Sequence, residues 1–218
     1  MQFRNQKLTL CLLATLVMAI MTAAPAEAKK AAAAPAKKEW RVRMRALAVM
    51  PENDSTTSIN GKVEPSNVIV PELDISYFWN DHWATELILA TTPHDVKAYN
   101  TNLGNLDLGE VWLLPPTLTL QYHFQPAEKF QPYVGAGVNY TLFYHQNAGP
   151  SIASIDYDNS FGLAGQAGFD YMIDDSLFFN MDIKKVWINT DVSINGGGVT
   201  ANVDIDPLLF GIGFGYRF

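Results

Sequence analysis

Arg41, Arg43 and Arg45 stand at every second position of one short stretch, and carboxylates with the same kind of spacing follow at Glu72 and Asp74, then singly at Glu86, Asp170 and Asp182. In an extended chain every second side chain points to the same face. Such residues meet only if several strands turn those faces toward a common interior. The chemistry they then supply is ion pairing, since buried charges are tolerated when paired and hydrogen-bonded. His123, Lys184 and Arg217 share the inward parity of this set, so Arg41, Arg43, Arg45, Glu72, Asp74, Glu86, His123, Asp170, Asp182, Lys184 and Arg217 are read together as a polar plug. A reacting centre is a poorer reading. It would need a nucleophile or histidine with a base and an oxyanion donor, and none of the four histidines (His82, His94, His123, His145) has a serine and a carboxylate that adjoining strands would bring to it. The histidines are too scattered for a zinc site, and His94-Asp95 reads as a solvated pair at a loop edge. Gly196-Gly197-Gly198 reads as a hairpin tip, because no helix follows to make a phosphate cradle. No catalytic residue, metal or cofactor is expected.

The elements that must hold this plug are strands. In the final stretch Leu208, Phe210, Ile212, Phe214, Tyr216 and Phe218 alternate with Leu209, Gly211, Gly213, Gly215 and Arg217, and the chain ends on the aromatic. A period of two with one bulky apolar face and one face of glycine and arginine suits a sheet between lipid and a narrow interior. About eight such strands follow one another from Trp40 onward. Short turns at Asn80-Asp81, Pro126-Ala127-Glu128 and Asp174-Asp175-Ser176 alternate with four long connections: Met50 to Asn67, Thr92 to Glu110, His145 to Asn159, and the tip at Gly196 to Gly198. The predicted fold is all-β: an eight-stranded antiparallel transmembrane barrel with short periplasmic turns and long outer loops. A lipocalin-like soluble barrel would point its large apolar residues inward. Here glycines and charges share one face, while Trp40, Trp83, Tyr122, Phe124, Tyr171, Tyr216 and Phe218 sit on the other at the short-turn ends, as an interfacial aromatic girdle would.

The front of the chain fits export. Residues 1–28 read as a signal peptide, with Arg4 and Lys7 before an apolar run and Ala26-Glu27-Ala28 as the cleavage site. Residues 29–38, alanine, lysine and proline, read as a flexible linker, and 39–218 as the barrel. The single cysteine, Cys11, lies inside the leader, so the exported chain has no thiol or disulfide chemistry. A net charge of −7 gives no support to a nucleic-acid partner. No later apolar run reaches the roughly 20 residues of a membrane helix, and a barrel hides its apolarity by alternation.

Several longer motifs, in order, resemble the OmpW family, which includes an alkane-uptake protein. They are Leu114-Pro115-Pro116-Thr117-Leu118, Pro132-Tyr133-Val134-Gly135-Ala136-Gly137-Val138-Asn139-Tyr140-Thr141, Gly165-Gln166-Ala167-Gly168-Phe169-Asp170-Tyr171, and Asp206-Pro207 with the terminal Gly215-Tyr216-Arg217-Phe218. The resemblance runs from about Trp40 to the C-terminus. It implies an outer-membrane channel for small hydrophobic molecules in a Gram-negative cell envelope, assembled by the machinery that reads the last strand, in contact with lipid and lipopolysaccharide. Some members also serve as phage or colicin receptors. It further implies an apolar constriction on the third and seventh strands. Ile88 matches the first place, while Lys184 stands where a large apolar side chain is expected.

The residues give their own account of such a channel. Above the plug, on the loop side, the inward positions are apolar: Leu47, Val70, Ile88, Leu113, Val186, Ile188 and Leu209 form the expected hydrophobic lumen and substrate path. A solute admitted from outside would meet a charged floor, so its easier exit is sideways. Proline cannot donate to the ladder, and Pro115-Pro116 mark the expected lateral gap. Two rival readings are a surface-display or receptor barrel without transport, and a lipid A-modifying enzyme.

Overall fold

A computed structural model gives the fold and describes residues 39–52 and 54–218. The proposed signal peptide and linker lie outside the described residues. Fifteen strands occur among those described. In chain order they are β1 (Glu39–Met50), β2 (Asp54–Thr57), β3 (Lys62–Pro65), β4 (Val68–Phe78), β5 (Trp83–Ala90), β6 (Thr92–Thr101), β7 (Gly104–Leu114), β8 (Thr117–His123), β9 (Phe130–Ala148), β10 (Ile155–Tyr157), β11 (Ser160–Met172), β12 (Leu177–Val186), β13 (Asn189–Ile194), β14 (Val199–Asp204) and β15 (Leu208–Arg217).

Eight of them close a cylinder in the order β1, β4, β5, β8, β9, β11, β12, β15 and back to β1, each antiparallel to its neighbours. The first and last strands seal it, in register from Arg41 opposite Arg217 to Met50 opposite Leu208. Trp40 and Phe218 add a reciprocal pair of backbone bonds of 3.1 and 3.0 Å at the end of that seam. Closure leaves no sheet edge in lipid, where an unpaired backbone group costs several kcal/mol.

Burial separates the two faces. Ile69 is 77 % exposed while Val70, the next residue, is 8 % exposed. Met44, Leu118, Leu163, Met181 and Phe214 are likewise exposed on the outer face. An apolar outer surface around a charged interior inverts the soluble pattern and fits acyl chains outside. The girdle is present at the short-turn end: Trp40, Tyr77 and Trp79 form one ring cluster, and Trp83, Tyr122 and Phe124 another.

The long connections differ from the sequence reading. Three that read as loops contain strand: β6 and β7 fill nearly all of the second, β2 and β3 lie in the first, and the end of β9 with β10 in the third. The last long tip is the β13–β14 hairpin. These strands carry the sheet well past the membrane. β9, with 19 residues, extends about 60 Å at roughly 3.3 Å per residue, whereas a tilted crossing takes only about 9–11 residues. Their outer faces meet water, so Asp95, Lys97, Asp191 and Asn202 hide the alternation of Val96, Ala98, Val192, Ala201 and Val203, which form an apolar core inside the extension. Turns in the extension use left-handed backbone at Asn60-Gly61 (φ 60° and 84°) and Asn195-Gly196 (φ 52° and 66°), a region that glycine and asparagine adopt most readily.

Candidate solute path and its ionic floor

Three layers fill the barrel, and each follows from which residues the pleat turns inward. At the periplasmic end lie rings. Phe78, Phe178, Tyr133 and His123 are all buried; His123 packs on Phe78 at 4.7 Å and on Tyr133 at 4.9 Å between centroids. The Arg41 guanidinium sits 4.1 Å over Phe78. Cation–π contact of this kind is worth about 0.5–2 kcal/mol and grows with desolvation.

Above the rings comes the ionic layer. Arg41 Nη1 lies 2.8 Å from Asp170, and its Nε 2.7 Å from Glu39. Arg43 reaches Asp74 at 2.9 Å, Asp170 at 3.0 Å and Glu86 at 3.2 Å, and donates to Ser76 Oγ at 2.7 Å. Arg45 meets Glu72 at 2.6 Å and both Asp74 and Asp182 at 2.7 Å. Lys184 pairs with Asp182 at 2.8 Å and Glu72 at 3.2 Å. Because β1 places arginines at every second residue, each reaches carboxylates on strands across the lumen, and the network ties β1 to β4, β5, β11 and β12. Glycine makes the space: a Cβ on Gly211 would lie 2.5 Å from Asp182 Oδ1, and one on Gly215 2.3 Å from the Phe178 ring. Gln166 Nε2 joins Glu86 to Thr119 at 2.8 and 2.9 Å. An eight-stranded barrel is narrow enough for its side chains to fill, and here they do.

The third layer is apolar. A cavity of about 40 Å³ rests on Glu72 and Lys184 and is walled by Leu47, Val49, Ile88, Ala90, Leu113, Val186, Ile188 and Leu209. A smaller one of about 20 Å³ lies within the extension, between Val63, Val96, Val111, Phe143, Tyr157 and Val203. His94, Leu113 and Ile205 line both.

Each expected site residue has a definite place. Leu47, Ile88, Leu113, Val186, Ile188 and Leu209 line the lower cavity, with Leu209 only half-buried. Val70 is buried beside them, packed with Leu47, Val49 and Ala90. Arg41, Arg43, Arg45, Glu72, Asp74, Glu86, His123, Asp170, Asp182 and Lys184 are all buried in the interior. Arg217 is not part of the plug. It lies at the periplasmic rim opposite Arg41, partly exposed and 3.6 Å from Glu39, because its Nε donates to the Asp175 carbonyl of the β11–β12 turn at 2.6 Å instead of reaching an interior carboxylate. The ring layer of Phe78 and Phe178 was missed. Phe178 shares the inward phase of Asn180, Asp182 and Lys184, but a phenylalanine low in the lumen has no place in an interior read as polar below and apolar above. His94-Asp95 is not a solvated loop pair. The two side chains point to opposite faces of β6, with His94 buried and Asp95 exposed. Burial lowers the His94 pKa, partly offset by its bond to Ser66 and by Asp95.

Pro115-Pro116 separate β7 from β8. The β5–β8 ladder stops at Ile88 opposite Thr117, and the β6–β7 ladder resumes at Thr92 opposite Leu113. Between them residues 89–91 and 114–116 share no register. Pro115 borders the lower cavity. The proline carbonyls bond elsewhere: Asn139 Nδ2 donates to both, at 3.1 and 3.3 Å, and the Tyr140 amide to Pro116 at 3.1 Å.

Residues 37–218 match the OmpW family. The chain is 44 % identical over 186 residues to an uncharacterized outer-membrane protein, y4mB, of Sinorhizobium fredii, covering 82 % of this chain and 80 % of that one. It is 36 % identical to outer membrane protein W of Vibrio cholerae, covering 97 % of this chain and all of the other. Among solved structures it is similar to the outer membrane protein OprG of Pseudomonas aeruginosa, with a TM-score of 0.79 at 31 % identity, covering 84 % of this chain and 97 % of that one. These relatives are named as outer-membrane proteins, and the family is non-enzymatic, which removes the lipid A-modifying reading. With its closed eight-stranded barrel and its match from the first described strand to the last, the chain belongs to the OmpW family of outer-membrane proteins.

Proposed function

We propose that this barrel takes up small hydrophobic molecules from outside the cell, holds them in the apolar chambers above the plug, and releases them sideways into the bilayer. The observation that carries this reading is the junction at Glu72 and Lys184: an apolar-walled cavity stands directly on an ion-paired floor. A hydrophobic solute is compatible with the walls, and crossing the floor would require displacing a buried ion-pair network whose charges are costly to leave unpaired. The interrupted ladder beside Pro115 offers a shorter route to lipid. So narrow a chamber suits slim or flexible solutes. The leader would export the chain, and the terminal strand would present it to the barrel assembly machinery.

The test is uptake of a hydrophobic solute by cells carrying the wild-type chain or Ile88→Asp. Ile88 is 4 % exposed and lines the lower cavity, so a carboxylate there should cut uptake at least severalfold while the barrel still assembles. Equal uptake by the two would favour a display or receptor barrel that carries no solute.

A further inference from the structure

Where the two chambers meet, the wall contains one imidazole. His94 is 3 % exposed and, with Leu113 and Ile205, lines both cavities. Its Nδ1 lies 2.7 Å from the Ser66 carbonyl oxygen. A carbonyl can only accept, so Nδ1 carries the proton and donates. In a neutral imidazole with Nδ1 protonated, Nε2 holds a free lone pair. No described residue bonds that nitrogen. The Ser66 contact is itself anchored, since the Ser66 amide donates to the Asp95 carbonyl at 2.9 Å and Asp95 N donates to Ser66 Oγ at 3.1 Å. The tautomer and the ring are thus fixed by the backbone of the β3–β4 connection.

We infer that His94 is a specificity-determining residue that reads a single hydrogen-bond donor on an otherwise apolar solute: an alcohol, phenol or indole N–H in preference to a hydrocarbon or ether of the same shape. The inference rests on the two chambers being the solute path. Nε2 is not among the enclosed unpartnered atoms; an apolar molecule without a donor covers it and leaves it unpaired, whereas one with a terminal hydroxyl satisfies it while its chain stays against Leu113 and Ile205. A site with a buried polar group discriminates because the wrong ligand leaves that group without a partner.

The experiment compares initial uptake of 1-octanol and its methyl ether by cells carrying the barrel, over cells lacking it. The probes differ in the donor and one methyl group. Wild type should favour the alcohol. His94→Phe, which keeps a ring and removes the acceptor, should lower the alcohol-to-ether ratio about three- to tenfold, the range of one neutral hydrogen bond, and His94→Gln should restore part of it. An unchanged ratio in His94→Phe, with both probes still taken up, overturns the inference and leaves the uptake reading standing. Uptake of neither probe by wild type overturns both. Should His94→Phe fail to assemble, the imidazole 15N signals of the wild-type barrel decide: Nε2 must shift on addition of 1-octanol and hold still with the ether, and equal response to both ends the proposal.

Discussion

Asp170 accepts from two guanidiniums, Arg41 at 2.8 Å and Arg43 at 3.0 Å, and is fully buried with Arg43. Its replacement by alanine would leave both arginines short of a partner in a dry interior, and breaking a buried pair from one side costs about 3–5 kcal/mol. Arg217, by contrast, is partly exposed at the rim, where an ion pair contributes about 0–1 kcal/mol. Urea unfolding of the reconstituted barrel should therefore show a large loss of stability for Asp170→Ala and a small one for Arg217→Ala; comparable losses would mean that the network is not the mechanical centre of the lumen. Parity made most of this layer legible in advance, because arginines and carboxylates on alternate residues can share only one face. Parity could not say where along the axis the interior ends. Arg217 has the inward phase and still emerges at the rim, and Phe178 has it too but lies under the Arg41 and Arg43 guanidiniums as a ring, outside the ion pairs.

At the level of strands, the eight crossings were readable because lipid on one side and a charged lumen on the other give each of them high contrast. The extension was not, because water outside an apolar core permits Asp95 and Lys97 on strands of the ordinary soluble kind, and polar, turn-rich stretches around Asn60-Gly61, Asn102 to Gly104 and Gly196 to Gly198 read as loops. The structure adds a break in the wall that follows from covalent chemistry. Neither Pro115 nor Pro116 has an amide hydrogen, and the ladder lapses across residues 89–91 and 114–116. Replacing both prolines by threonine supplies two donors that can extend the β5–β8 pairing upward. Hydrophobic uptake should fall severalfold, with amide exchange slowing at residues 89–91. Unchanged uptake alongside the slowed exchange would show that the break only re-aims β7 into the extension, as bulges commonly do.

Across the whole molecule, polarity changes along the axis from rings, to ion pairs, to an apolar shaft continued outward by the extension. A closed eight-stranded sheet leaves no room for a water-filled pore beside that plug. On the proposed reading this is a one-ended apolar well, and its floor would keep the barrier to hydrophilic solutes intact. The most direct measurement reconstitutes the full barrel in liposomes and follows, side by side, transfer of a hydrophobic solute and of a hydrophilic one of similar size. The account predicts faster transfer of the hydrophobic solute than in empty liposomes and no gain for the hydrophilic one. Comparable acceleration of both would reveal a continuous aqueous pore and contradict it.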